Sequence, residues 1–496
     1  MPAMRPAGRA RGASGARLRA PLAIVGGAVA LRLAIGVGFV NYDTLYSLVW
    51  GQQAARGETP SYGLALAPTP HPLLELLGLV AAPLGAAAST TIVVALAYLS
   101  LAALGYLAYE LATAWFSWPA GLAAAALILS RYEVLSYGVR SYADIPYAAL
   151  VLAALLLETR RRRAGWPVIA LLDLAGLLRP EAWLFAGVYW LWLWPGSSPA
   201  RRLRLAALVV LAPTLWVLSD LIVTGNPLWS LTNTRSTAAA LHRPRGLLDV
   251  PYYGARRLGE VLAPDGLVGA AMGLAFTLWL TRARAALGAA AGALAVLALA
   301  IVAAAGLPIQ DRYVFVIAAL AAVFAGAGLF GWRSLPPSHP RRRLWQGAAT
   351  AIVVSILASI AWQVPRFNKT FASERPADQS LGAQQRIQDD LLALVSGGAI
   401  RSRCGPISVP YNTPIPLLAL YLHTSPANIV VAPIVHGASV VAGSPSAGTY
   451  LAPATAAVYT QYQLDPSDPL IRTGAVPAGF RQVAANRSWR VYTRCG

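Results

Sequence analysis

The stretch Pro21–Tyr46, PLAIVGGAVALRLAIGVGFVNYDTLY, decides how the whole chain is read. Pro21–Val40 is apolar enough and long enough to cross about 30 Å of hydrocarbon. It lacks a convincing signal-peptide cleavage site and further spans follow, so it reads as a retained membrane helix. Asn41-Tyr42-Asp43-Thr44-Leu45-Tyr46 then opens a polar, Gly/Pro-rich stretch reaching Pro70-His71-Pro72. A carboxylate at Asp43, past one membrane helix and before the next, lies at the bilayer surface. There it can meet a lipid headgroup and a water-borne partner at the same time.

Composition extends this reading to the rest of the 496 residues. The chain is 57% hydrophobic and 12% charged, with mean hydropathy +0.54, against about 25% charged for soluble domains. Apolar runs of membrane-spanning length recur, which makes this a polytopic α-helical membrane protein. The net charge of +20 does not signal nucleic-acid binding. Lys369 is the only lysine, and many arginines cluster in short loops between apolar spans. That is the positive-inside pattern of a protein whose partner is the lipid bilayer.

Those arginines orient the chain in a plasma membrane. Residues 1–20 form an Arg-rich cytoplasmic tail, and residues 21–362 a transmembrane domain of about eleven spans. Residues 41–71 form a first outer loop and 223–264 a second, long one. Pro72–Leu84 is under-length and either lies in the interface or re-enters. Arg160–Arg163, Arg201–Arg204, Arg282 with Arg284, and Arg341–Arg343 mark the inside. The outer end then collects Asp43, Tyr46, His71, Arg140, Asp144, Arg179, Glu181, Arg235, Arg243, Arg312 and Tyr313. A transporter places ionisable groups near the midplane on broken, repeated helices, and no internal repeat is visible. The pattern is that of an enzyme or binding site at the membrane–water boundary.

Residues 363–496 change to soluble composition and form a small extracytoplasmic α/β domain. A helix is expected near 380–396, and strand-like runs at Ile407–Pro410, Asn428–Ala432, Ala456–Gln461 and Ser488–Tyr492. Cys404 and Cys495 are the only cysteines. Neither belongs to a C-x-x-C pair, and outside the cell they are expected to form a disulfide. Closing a loop of that length contributes roughly 4–5 kcal/mol in the chain-entropy picture.

The outer-face motifs resemble those of the GT-C glycosyltransferases, multi-pass enzymes that use polyprenyl-phosphate-linked sugars and include the aminoarabinose and protein O-mannosyl transferases. The resemblance rests on Asp43-x-x-Tyr46 with Gly57-Glu58-Thr59-Pro60, and on Pro70-His71-Pro72-Leu73. Arg140-Ser141-Tyr142-Ala143-Asp144-Ile145-Pro146, Leu178-Arg179-Pro180-Glu181 and Asp311-Arg312-Tyr313 extend it over about residues 20–362. Many members carry an acidic pair in the first loop, whereas Thr44 follows Asp43 here. That departure leaves one candidate base and argues against a metal-assisted variant; no metal and no cofactor are expected.

The implied activity is inverting transfer of a sugar from a polyprenyl-phosphate donor to a glycan, lipid or protein acceptor of the cell envelope. A sugar on a lipid phosphate already has a good leaving group, so one carboxylate that takes the acceptor's proton suffices. Arginines stabilise the charge gathering on the departing phosphate. Simpler roles stand beside each assignment. Asp43 also suits a helix cap or a partner for Arg140, Asp144 a cap before Pro146, and Arg179 and Glu181 a pair with each other. A polyprenyl-linked glycan polymerase or ligase, or a transporter or flippase, are the alternative functions.

Overall fold

The computed structural model describes residues 12–354, 381–401, 405–432, 446–462 and 476–495. Helices α1 (Gly12–Ile35), α2 (Tyr42–Ala55), α3 (Pro72–Ala81) and α4 (Ala86–Trp115) come first. They lead into α5 (Trp118–Leu129), α6 (Tyr132–Val139), α7 (Asp144–Arg160), α8 (Trp166–Gly176) and α9 (Glu181–Leu193). Next are α10 (Pro199–Val209), α11 (Leu211–Thr224), α12 (Trp229–Ala240), α13 (Ala255–Leu280), α14 (Arg282–Ala304) and α15 (Phe315–Phe330). Residues 342–354 form α16.

Six stretches among the described residues are long and apolar enough to cross a membrane: Leu18–Ile35, Ala86–Trp115, Pro199–Thr224, Leu247–Leu280, Arg282–Ala304 and Asp311–Ser334. The α5–α6 pair, bent by 65°, is a seventh if it counts as one span. The expected eleven are thus only partly met. Helices α7, α8 and α9 stand where spans four to six were expected but have 17, 11 and 13 residues. At 1.5 Å per residue the last two reach only about 17–20 Å. The final expected span is helical over 342–354, and the rest of it lies outside the described residues.

Both expected outer loops contain helices. Nearly all of α2 is buried, from Tyr42 to Gln53, because α3 covers one side of it and the C-terminal domain another. Gly51 and Gly78 permit the α2–α3 crossing: a Cβ on Gly51 falls 2.4 Å from the Leu79 nitrogen. Within 223–264 the chain forms α12 and the start of α13, with a break at Ala263 (φ 59°) before Pro264. Apolar burial does little to hold helices together in lipid, where small residues and close packing take over. On Gly273 of α13 a Cβ would lie 1.8 Å from the Phe324 carbonyl oxygen of α15. That backbone-to-backbone contact fixes α15 and the Asp311-Arg312-Tyr313 turn that precedes it.

The C-terminal part holds α17 (Leu381–Ser396), α18 (Ile415–Leu422), α19 (Ala456–Gln461) and strands β1 (Ile407–Val409), β2 (Ile429–Val431), β3 (Gly448–Pro453), β4 (Arg481–Ala485) and β5 (Trp489–Arg494). The sheet order is β2-β1-β3-β5-β4, parallel on the β1 side and antiparallel about β5. Ala456–Gln461 was expected as a strand and is a helix, because the Thr455 side chain accepts from the Val458 N–H and caps it. Cys404 lies outside the described residues, so the expected disulfide has only Cys495, just past β5, on view. This unit is no appendage. Leu45, Trp50 and Tyr62 share one apolar core with Ile387, Leu391, Leu418 and Trp489. Gln388 Nε2 donates to the Val40 carbonyl at 3.1 Å, and the Gly38 N–H to Gln385 Oε1 at 2.9 Å.

Candidate active site

Asn41 caps α2 and presents Asp43. Its Oδ1 accepts from the N–H groups of Asp43 and Thr44 at 2.8 and 3.1 Å, and its Nδ2 donates to the Arg140 carbonyl at 2.9 Å. Thr44 Oγ1 donates to the Ser141 carbonyl at 2.8 Å. Ser141 is held at φ 60°, a conformation that L side chains rarely adopt. Thr44 is therefore a joint between α2 and the 140–141 turn. Asp43 itself sits in the first turn of α2, where the helix dipole favours a carboxylate.

Asp43 Oδ2 accepts from Arg312 Nη1 at 2.8 Å, and Arg312 Nε donates to Gln310 Oε1 at 2.9 Å. The two charged side chains are 22% and 18% exposed, so the pair borders open space. Burial alone pushes the Asp43 carboxyl upward. The Arg312 charge and hydrogen bond, helped by His71 and Arg243, outweigh it and hold the carboxyl below the usual range.

Beside this pair is a drier ion group. Arg179 lies between Asp144 and Glu181, bonded to Asp144 through Nη1 and to Glu181 Oε1 through Nη2 at 2.9 Å. All three are buried. The guanidinium stands 4.1 Å from the Tyr313 ring centroid, a close cation–π contact. Removing Arg179 would strand two buried carboxylates, whereas losing either acid leaves Arg179 paired with the other. His71, immediately before Pro72 and α3, is buried, which pushes its imidazole down to about 4, with Arg179 adding to the effect. It is neutral at ordinary pH.

One cavity of about 560 Å³ gathers these groups. Asp43, His71, Arg179, Glu181, Arg243, Arg312 and Tyr313 line it, while Ala298, Ile301 and Val302 of α14 supply an apolar wall. Four expected site residues do not line it. Tyr46 packs edge-on against Tyr42 in the α2 core. Arg140 lends its carbonyl to Asn41 and lies over the Tyr137 and Tyr142 rings. Asp144 stands behind Arg179, and the Arg235 side chain donates to the Ala305 carbonyl.

Other residues that line the cavity went unread in the sequence. Trp183, Trp216 and Asp220 come from inside apolar helices, and Ser230, Asn233 and Thr234 from α12. Asp220 accepts from the Ser230 hydroxyl and N–H, both at 2.8 Å, and Ser230 accepts from Trp216 Nε1 at 2.9 Å. Thr69 and Thr234 hydroxyls meet at 2.6 Å, and Asn233 Nδ2 donates to the Ala67 carbonyl at 3.1 Å. The available signal was the hydroxyl- and amide-rich run Ser230–Thr237 within the long loop.

No protein-family model and no curated protein sequence matches this chain. Among solved structures, the chain is similar to ArnT from Cupriavidus metallidurans bound to undecaprenyl phosphate. The two share 14% identity and a TM-score of 0.51, over 97% of this chain and 98% of that one. The likeness is one of fold along the entire length, helical membrane region and C-terminal sheet together. It meets the GT-C resemblance of the sequence at the level of fold.

Proposed function

We propose that this protein is an inverting glycosyltransferase that moves a sugar from a polyprenyl-phosphate donor to an extracytoplasmic glycan, lipid or protein acceptor. The observation that carries the reading is the ionised Asp43 paired with Arg312 on a cavity with an apolar wall. The fold adds support, since ArnT holds undecaprenyl phosphate on the same architecture.

In this reading the lipid chain of the donor runs along the apolar wall and its phosphate meets Arg312 and Arg243. As the phosphate takes Arg312, Asp43 loses its partner and its carboxylate turns to the acceptor hydroxyl. That oxygen attacks the anomeric carbon opposite the phosphate, Asp43 takes the proton, and the carbon–oxygen bond to phosphate breaks. Polyprenyl phosphate leaves, its added negative charge held by the guanidinium groups. The anomeric centre is inverted. The Arg160–Arg163 cluster at the far end of α7 is assigned to the cytoplasm, and the cavity with the C-terminal domain to the outside. A Cys404–Cys495 disulfide belongs to the same proposal.

The test is to incubate the purified protein in proteoliposomes with labelled polyprenyl-phosphate sugars and membrane lipid or glycan acceptors. A covalent product of inverted configuration is expected. Solute counterflow with no covalent product from any donor would overturn the proposal in favour of transport.

A further inference from the structure

The cavity also presents groups that the phosphate chemistry leaves unused. Glu181 spends Oε1 on Arg179, while Oε2 is buried with no hydrogen-bond partner among the described residues. The Glu181 side chain is 7% exposed, and the residue lines the cavity. A buried acceptor left unpaired is costly, more so when charged, and such an atom is normally completed by a ligand or water.

Two indoles line the same cavity. Trp183 and Trp216 have ring centroids 5.7 Å apart at 82°. Both indole N–H groups are spent on protein: Trp183 Nε1 donates to the Gly176 carbonyl at 3.1 Å, and Trp216 Nε1 to Ser230. What the rings offer a ligand is therefore apolar surface. A carboxylate oxygen that accepts from hydroxyls, in one cavity with aromatic surface that packs on C–H groups, matches the two-sided character of a sugar ring. Arg179 fixes the carboxylate, with Asp144 holding Arg179 from the other side.

We propose that Glu181 Oε2, with Trp183 and Trp216, forms the subsite that reads the hydroxyls of the transferred sugar, while Arg312 and Arg243 take the phosphate. The inference rests on the glycosyltransferase reading and deepens it. Sites built to bond a substrate hydroxyl discriminate strongly against analogues that lack it, because their own buried groups are then left unpaired.

The experiment uses the full-length protein in nanodiscs. It compares binding of undecaprenyl phosphate with that of its glucose, mannose, galactose and arabinose esters, for the wild type, Glu181→Gln and Trp183→Leu. The wild type is expected to hold one ester more tightly than bare undecaprenyl phosphate by roughly 10- to 100-fold. Both variants are expected to lose that preference while binding bare undecaprenyl phosphate within about threefold of wild type. Trp183→Leu leaves the buried ion group intact, so it decides the matter if Glu181→Gln does not fold. Preference kept in Trp183→Leu, or no preference among esters in the wild type, overturns the subsite. Absence of any undecaprenyl phosphate binding by the wild type overturns the glycosyltransferase reading instead.

Discussion

Arg312 Nη1 and Asp43 Oδ2 meet at 2.8 Å although 269 positions separate them in sequence. The pair ties the first helix after the first span to the turn before α15. It also couples the acidity of one residue to the presence of the other. Burial alone would raise the Asp43 carboxyl, and Arg312 reverses the sign.

Arg312→Gln is therefore expected to raise the Asp43 pKa. A base must be deprotonated to act, so the acid limb of the kcat/KM–pH profile moves to higher pH. With Arg312 proposed to hold the donor phosphate, its loss is also expected to weaken donor binding, by about tenfold or more. Steady-state kinetics across pH check both effects. A limb that stays in place, or moves to lower pH, separates Asp43 from the rate.

His71 carries a pH signature of its own. Its imidazole is pushed down to about 4 by burial, against an ordinary value of 6.5. Between those values the unfolded chain binds a proton that the folded one does not. Stability thus falls as pH drops through that window, by about 3 kcal/mol once below both values. The detergent-solubilised protein is expected to lose Tm between pH 6.5 and 4, and His71→Gln to lose less. Equal losses in the two proteins would contradict a neutral, buried His71.

Much of this site was legible because its residues stand at span ends. Asp43, His71, Arg179, Glu181 and Arg312 needed only the positive-inside rule to be assigned to one end of the bundle, and the fold brings them to one cavity. Pairing was harder. Arg140 was a sequence-level partner for Asp43, yet its carbonyl serves the Asn41 cap and Arg312 forms the ion pair. Trp183, Trp216 and Asp220 were invisible because an apolar or isolated polar residue within a span does not disclose which face it presents. Ala456–Gln461 failed differently: six apolar and polar residues do not set a period, and the Thr455 cap decided in favour of helix.

Thr44 is expected to be structural. Thr44→Val keeps the shape, removes the donor to the Ser141 carbonyl and leaves that buried oxygen unpaired, at a cost of about 1–3 kcal/mol. Thermal unfolding in detergent measures this. An unchanged Tm would show that the joint between α2 and the 140–141 turn carries no weight.

Gly273→Ala is expected to prevent normal packing of α15, since its Cβ would collide with the Phe324 carbonyl oxygen. Gly292→Ala on α14 meets nothing within 4 Å and serves as the control. Size-exclusion profiles and Tm after solubilisation distinguish them. Equal behaviour of the two variants would contradict the close α13–α15 contact.

Asp43 is proposed to remove the acceptor proton. Single-turnover transfer by Asp43→Asn, with the donor that the wild type uses and with donor binding measured in parallel, tests it most directly. Donor binding within a few-fold of wild type and transfer reduced by about 10²–10⁴ is the predicted result. Transfer by Asp43→Asn within a few-fold of wild type would contradict it.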